Sequence, residues 1–254
     1  MLIPIALFIL GAIVASFIGV LVARLYTGEG YVFGRSRCDA CSAVLSPPTM
    51  VPVLSYLFSG GRARCCGARI SLVAPLTEIL LGTLFVLSYY ALGLVAALPL
   101  FLFSLSLILA LVLYDLAHQI LPTPLLAVFV CIAALTGFSL APSVDAFYAT
   151  LPATFLIAVS LALIHILSRG RYMGLADTPF VFGLSLLVGP AALPGFVFSF
   201  WIGACIGIAV LLRRPIGSRM GVEVPFAPFL AAGFLLAYFT QWNPFIFVAT
   251  LSGN

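Results

Sequence analysis

Apolar residues run through the chain in long, nearly unbroken stretches, and the few polar positions fall between them. A helix that crosses a membrane needs about 20 consecutive apolar residues. Eight stretches meet or approach that length: 2–23, 72–92, 95–114, 124–140, 146–167, 179–193, 195–212 and 224–247. The pattern predicts an all-α fold, a polytopic transmembrane helix bundle of about eight spans. The sixth stretch is short and interrupted by glycine, so its ends are the least sharply drawn. The first lacks a basic leader and a small-residue cleavage site before Arg24, and reads as a retained span.

Composition agrees with this picture. Of 254 residues, 64% are hydrophobic and 7% charged, against roughly a quarter charged in soluble domains. So few charges could not cover a water-soluble fold of this size, and hydrocarbon must solvate most of the surface. The eleven basic residues are all arginine, and they are clustered. Arg24, Arg35, Arg37, Arg62, Arg64 and Arg69 separate the first two spans, Arg169 and Arg171 follow the fifth, and Arg213, Arg214 and Arg219 follow the seventh. With eight spans all three clusters share one side, which the positive-inside rule makes cytoplasmic, with both termini outside. The expected division is a first span at 1–23, a small cytoplasmic cysteine-containing loop domain at 24–71 and a transmembrane core at 72–254. The loop is rich in Pro, Gly, Ser and Cys, and is too small to bury a good core alone. No basic stripe with interleaved aromatics is present, so nucleic acid is not an expected partner; membrane lipid is.

Seven acids remain to carry chemistry: Glu29, Asp39, Glu78, Asp115, Asp145, Asp177 and Glu223. On the predicted topology, Asp115 closes the third span and Asp177 opens the sixth, both at the cytoplasmic face. Two carboxylates from different spans thus reach one membrane depth. Such a pair, sharing one proton, suits peptide hydrolysis: one carboxylate draws a proton from water while its protonated partner donates to the scissile carbonyl. Position alone also fits two helix caps or interfacial anchors, since Asp177 with Thr178 and Pro179 after it is good capping chemistry. Glu78 lies inside the second span, where a carboxylate needs a partner or a wet cleft. His118 could reach Asp115, though a loop histidine is more often solvated, and His165 reads as a packed or interfacial residue. Cys131 and Cys205, inside apolar runs, read as buried small hydrophobes.

Several segments carry a family resemblance. Tyr114-Asp115-Leu116-Ala117-His118-Gln119-Ile120-Leu121-Pro122 resembles the first aspartate motif of the prepilin peptidases, a family of intramembrane aspartic peptidases. Gly174-Leu175-Ala176-Asp177 resembles its second motif, Gly-x-Gly-Asp. The Gly/Ser-Phe run from Gly11 to Val20, Pro52–Leu57, Gly61–Arg64, Pro75–Glu78 and Pro225–Ala231 resemble further family segments, in the family's order over nearly the whole chain.

The resemblance implies an enzyme of a bacterial inner membrane whose site faces the cytoplasm. It would cut the basic leader from type IV prepilins or type II secretion pseudopilins with Asp115 and Asp177, without a metal in the peptidase chemistry. It would then methylate the new amino terminus with S-adenosylmethionine, and Glu78, at a family position, is a candidate for the methyl-donor or substrate site. The family's two Cys-x-x-Cys pairs, fit for structural zinc, are altered here. Cys38-x-x-Cys41 is intact, but its partner pair falls on Ala63 and Cys66, with Cys65 as the stand-in ligand beside it. The metal site expected is therefore Cys38, Cys41, Cys65 and Cys66. Ala176 replaces the second motif glycine and Pro179 the usual lysine, and Ala takes a positive φ less cheaply than Gly. An ion-coupled membrane transporter and a noncatalytic pilus-assembly partner are the alternatives.

Overall fold

The computed structural model describes residues 2–27, 37–38, 40–44, 51–171, 173–212 and 225–245. The helices are α1 (Leu2–Arg24), α2 (Leu54–Ser59), α3 (Val73–Leu92), α4 (Leu98–His118), α5 (Thr123–Leu140), α6 (Val144–Leu167), α7 (Asp177–Val188), α8 (Ala192–Leu212) and α9 (Ala227–Thr240). Among the described residues there is no named strand, only two isolated bridges, Arg37–Val44 and Arg62–Arg69. The eight apolar helices match the eight stretches expected from hydropathy. Six helical stretches are long and apolar enough to cross a membrane, counting Asp177–Leu212 as one, and α9 is a shorter apolar helix. The outer limits expected for the last span, Val224 and Phe247, lie outside the described residues.

The chain forms two compact units. In the first, α1 and α3 cross at glycine. A Cβ on Gly11 would meet the Gly82 Cα and the Leu81 carbonyl at 2.8 Å, and Phe8, one turn earlier on α1, also packs on Gly82. Small residues at a crossing let two backbones approach where lipid offers no hydrophobic drive to associate. Ala12, Ala15, Ile18, Leu81 and Phe85 are buried around it.

The second unit is an up-and-down array. The Ser104 and Thr136 hydroxyls, 3.2 Å apart, tie α4 to an antiparallel α5. Phe129 meets Phe180 and Gly183, and Gly137 abuts the Leu186 carbonyl, so α7 runs parallel to α5. Gly195 packs on Phe234 and Gly203 on Phe229, so α8 and α9 are antiparallel. α9 in turn opposes α4, with Ala227 at Asp115 and Tyr238 stacked on Phe101. These directions require the chain to reverse between α7 and α8. Gly189, at φ 57° and ψ −119°, makes that reversal, and Pro190 follows it. The short, glycine-interrupted sixth span is thus a short helix of 12 residues that ends in a turn.

Cys131 and Cys205 are exposed, contrary to their expected burial. In a water-soluble protein an apolar flank marks a buried helix face; in lipid the apolar flank is the outer surface.

Candidate active site

Asp115 stands near the end of α4 because the sequence stops the helix there. Gln119 takes a left-handed φ of 56° and its N–H donates to the Asp115 carbonyl at 2.7 Å. Pro122 and Pro124 then start α5. The Asp115 side chain is 6% exposed, and its Oδ2 accepts the N–H of Ala227 at 3.3 Å. Ala227 is the first residue of α9, so an otherwise orphaned amide and the positive end of the helix face the carboxylate.

Asp177 is the first residue of α7 and is 7% exposed. Its Oδ2 accepts the Gly174 N–H at 3.1 Å. The two carboxyl groups, which belong to one compact unit, are near enough for the charge of Asp115 to act on Asp177. Each accepts a backbone hydrogen bond on its Oδ2. Ala176 has φ −68° and ψ −18°, an ordinary right-handed conformation. Its Cβ therefore costs nothing there, and no left-handed residue is needed at that position of the motif. Pro179 sits in the first turn of α7, where its missing N–H is not needed.

The loop that delivers Asp177 is held by His165. Arg169 and Gly170 adopt left-handed φ angles of 53° and 76° after α6, which fold the chain back over the imidazole. The Nδ1 of His165 lies 2.8 Å from the Met173 carbonyl. A carbonyl can only accept, so Nδ1 carries the proton. Nothing in the residue pattern marks this role, because the partner is a backbone atom eight residues away. Thr178 was equally silent: its Oγ1 is buried beside Asp177 without a partner among the described residues. His118 does not bond Asp115; it is exposed, with its ring 4.4 Å from that of Tyr114.

In the other unit, Glu78 on α3 is 7% exposed, and its Oε2 accepts the N–H of Val53 at 2.7 Å. Val53 has φ 60°, a costly conformation for a β-branched residue. The buried carboxylate holds that turn at the head of α2.

The four loop cysteines come together. Their sulfurs lie within 4.8 Å of one another, with Cys38–Cys66 at 3.8 Å, Cys41–Cys65 at 3.3 Å and Cys65–Cys66 at 3.9 Å. Tetrahedral zinc with Zn–S bonds of about 2.3 Å places sulfurs about 3.8 Å apart, so the donor set fits. The two turns that carry them are built alike. Cys38 N–H donates to Ala43 O and Ser42 N–H to Cys38 O; Ala63 N–H donates to Ala68 O and Gly67 N–H to Ala63 O. In this correspondence Ala63 occupies the place of Cys38, and Cys65 brings the fourth sulfur from a neighbouring position. Backbone N–H groups of Ala40 and Cys41 hold the Cys38 thiol down at about 7, while hydrogen bonding to Cys41 and Cys38 pushes Cys65 up to about 12.

Comparison with known proteins gives the same direction. Residues 9–92 match the model of the bacterial peptidase A24 N-terminal domain. The chain is 31% identical over 237 residues to a prepilin leader peptidase/N-methyltransferase of Bacillus subtilis (strain 168), covering 91% of this chain and 92% of that one. It is 32% identical to the protein of the same name from Myxococcus xanthus (strain DK1622), over 81% of this chain and 62% of the relative. A type 4 prepilin-like proteins leader peptide-processing enzyme of Escherichia coli O78:H11 is 29% identical, over 82% and 76% of the two chains. No solved structure matches it. With likeness extending over nine-tenths of both chains, the protein belongs to the prepilin leader peptidase/N-methyltransferase family.

Proposed function

We propose that this chain removes the leader peptide of type IV prepilins or type II secretion pseudopilins, with Asp115 and Asp177 as an aspartic dyad. The observation that supports it most is the pair of buried carboxylates at the ends of two helices, each with one backbone donor and within electrostatic reach of the other. One proton shared between them leaves a base toward water and an acid toward the scissile carbonyl. The pair acts as a unit, and neither role is fixed to one residue. The Thr178 hydroxyl, without a partner among the described residues, would supply a donor beside Asp177 for the substrate or the attacking water.

The family name supports a second step, methylation of the new amino terminus. The methyl group would come from S-adenosylmethionine, which supplies an electrophilic methyl sulfonium. Glu78 is the residue we assign to that group, through its Oε1. The four cysteines would hold a structural zinc ion that pins the loop. The positive-inside rule applied to the arginine clusters supports a dyad that faces the cytoplasm at a bacterial inner membrane.

Co-expression with a prepilin, followed by mass spectrometry of the product, tests both steps at once. A product lacking the leader and about 14 Da heavier than the cleaved chain, one methyl in place of a hydrogen, is expected. A prepilin that keeps its leader in the presence of abundant wild-type protein refutes the reading.

A further inference from the structure

The short helix α2 and the turn after it are not used by either step above. Three features of that segment, all within one compact unit, point to one ligand.

The first is depth. The head of α2 is fastened to Glu78, the sixth residue of α3, through the Val53 N–H. At 1.5 Å per residue this lies about 8 Å along the helix from its start. The head of α2 is therefore fastened within the first two turns of a helix long and apolar enough to cross a membrane.

The second is apolar exposure. Leu54 is 50% exposed, Leu57 66% and Phe58 76%. A helix that lies flat at the boundary buries such a face in the acyl region and keeps its charges among the headgroups.

The third is an uncompensated pair of charges. Arg62 and Arg69 stand opposite each other in an antiparallel bridge and line one open cleft with Tyr56 and Ile70. Directly opposed like charges repel, and no carboxylate pairs with either among the described residues. An anion between two guanidinium groups removes that repulsion, and phosphate is the oxyanion that their planar donors fit best.

We propose that α2 is an interfacial anchor and that Arg62 and Arg69 grip the phosphate of an anionic phospholipid in the adjacent leaflet. Leu57 and Phe58 then enter the apolar boundary beside it. The lipid would hold the cysteine loop against the membrane surface.

The test uses the full-length chain in nanodiscs of phosphatidylcholine, with and without phosphatidylglycerol, and reads amide exchange across α2 by mass spectrometry. Each arginine at an anionic surface contributes about five-fold, so roughly thirty-fold greater protection is expected with phosphatidylglycerol. R62Q/R69Q should return protection to the phosphatidylcholine level, while R64Q, whose side chain does not line the cleft, should not. The lipid comparison on the unmodified chain stands even if the double variant misfolds. Equal protection in both lipids overturns the proposal. So does the same loss from R64Q, the same gain from inorganic phosphate over phosphatidylcholine, or a gain that appears only when prepilin is added.

Discussion

His165 offers a test of how the site is held, separate from the acids themselves. The imidazole ties α6 to the loop before Asp177 through one hydrogen bond of 2.8 Å to Met173 O, and it is only half-buried. Replacing it with alanine removes that bond and leaves the carbonyl to water. A typical net hydrogen bond contributes about 0.5–1.5 kcal/mol. If the loop positions Asp177 only when tethered, the competent population and kcat fall by about 2- to 13-fold. Asparagine presents its amide nitrogen near where Nδ1 sits, whereas glutamine reaches toward the position of Nε2. H165N should therefore recover most of the activity and H165Q should not. The assay is cleavage of a prepilin in detergent micelles, with kcat and KM resolved and the thermal stability of each variant measured alongside. H165A matching the wild type would refute the tether. So would H165N performing no better than H165A.

Three further expectations follow from single contacts. A Cβ at Gly233 would run into the backbone nitrogen and hydroxyl of Ser199, so G233A should destabilise by about 1–3 kcal/mol; G19A, with nothing within 4 Å, should melt like the wild type. Zinc binding requires deprotonated thiols. Cys38, held at about 7, is a thiolate above that pH and gains a proton below it. Affinity measured by competition with a chelator should therefore weaken as pH falls from about 8 to about 6, and a flat profile would exclude four thiolate ligands. The Thr178 hydroxyl has no partner among the described residues, so T178V should leave stability unchanged or raise it by about 1 kcal/mol while lowering leader cleavage. Unaltered cleavage would remove Thr178 from the site.

Much of this was legible in the residues because the membrane simplifies the code. Backbone groups in hydrocarbon must bond internally, so each apolar run had to be a helix, and the arginine clusters predict which ends share a side. Asp115 and Asp177 could be paired on that basis alone. What the sequence could not supply were contacts made through the backbone or between distant segments. The donors to the two carboxylates are the amides of Ala227 and Gly174, which any residue but proline offers. Glu78 finds Val53 25 positions earlier. The exposure of Cys131 and Cys205 was hidden because lipid-facing and buried residues are equally apolar. Ala176 looked like a defect only while the motif was thought to need a left-handed residue there, and its φ of −68° removes that need.

The dyad itself is tested most directly by measuring prepilin cleavage by D115N, D177N and the double variant. Asparagine keeps an oxygen to accept the Ala227 or Gly174 N–H, so the fold and the loop should survive and only proton transfer is lost. Each single change should lower the rate by about 10²- to 10⁴-fold, and the double change should be no worse than the more severe single one, because the two groups act as one unit. Cleavage within a few-fold of the wild type by either single variant, or losses that multiply in the double, would contradict a shared-proton pair.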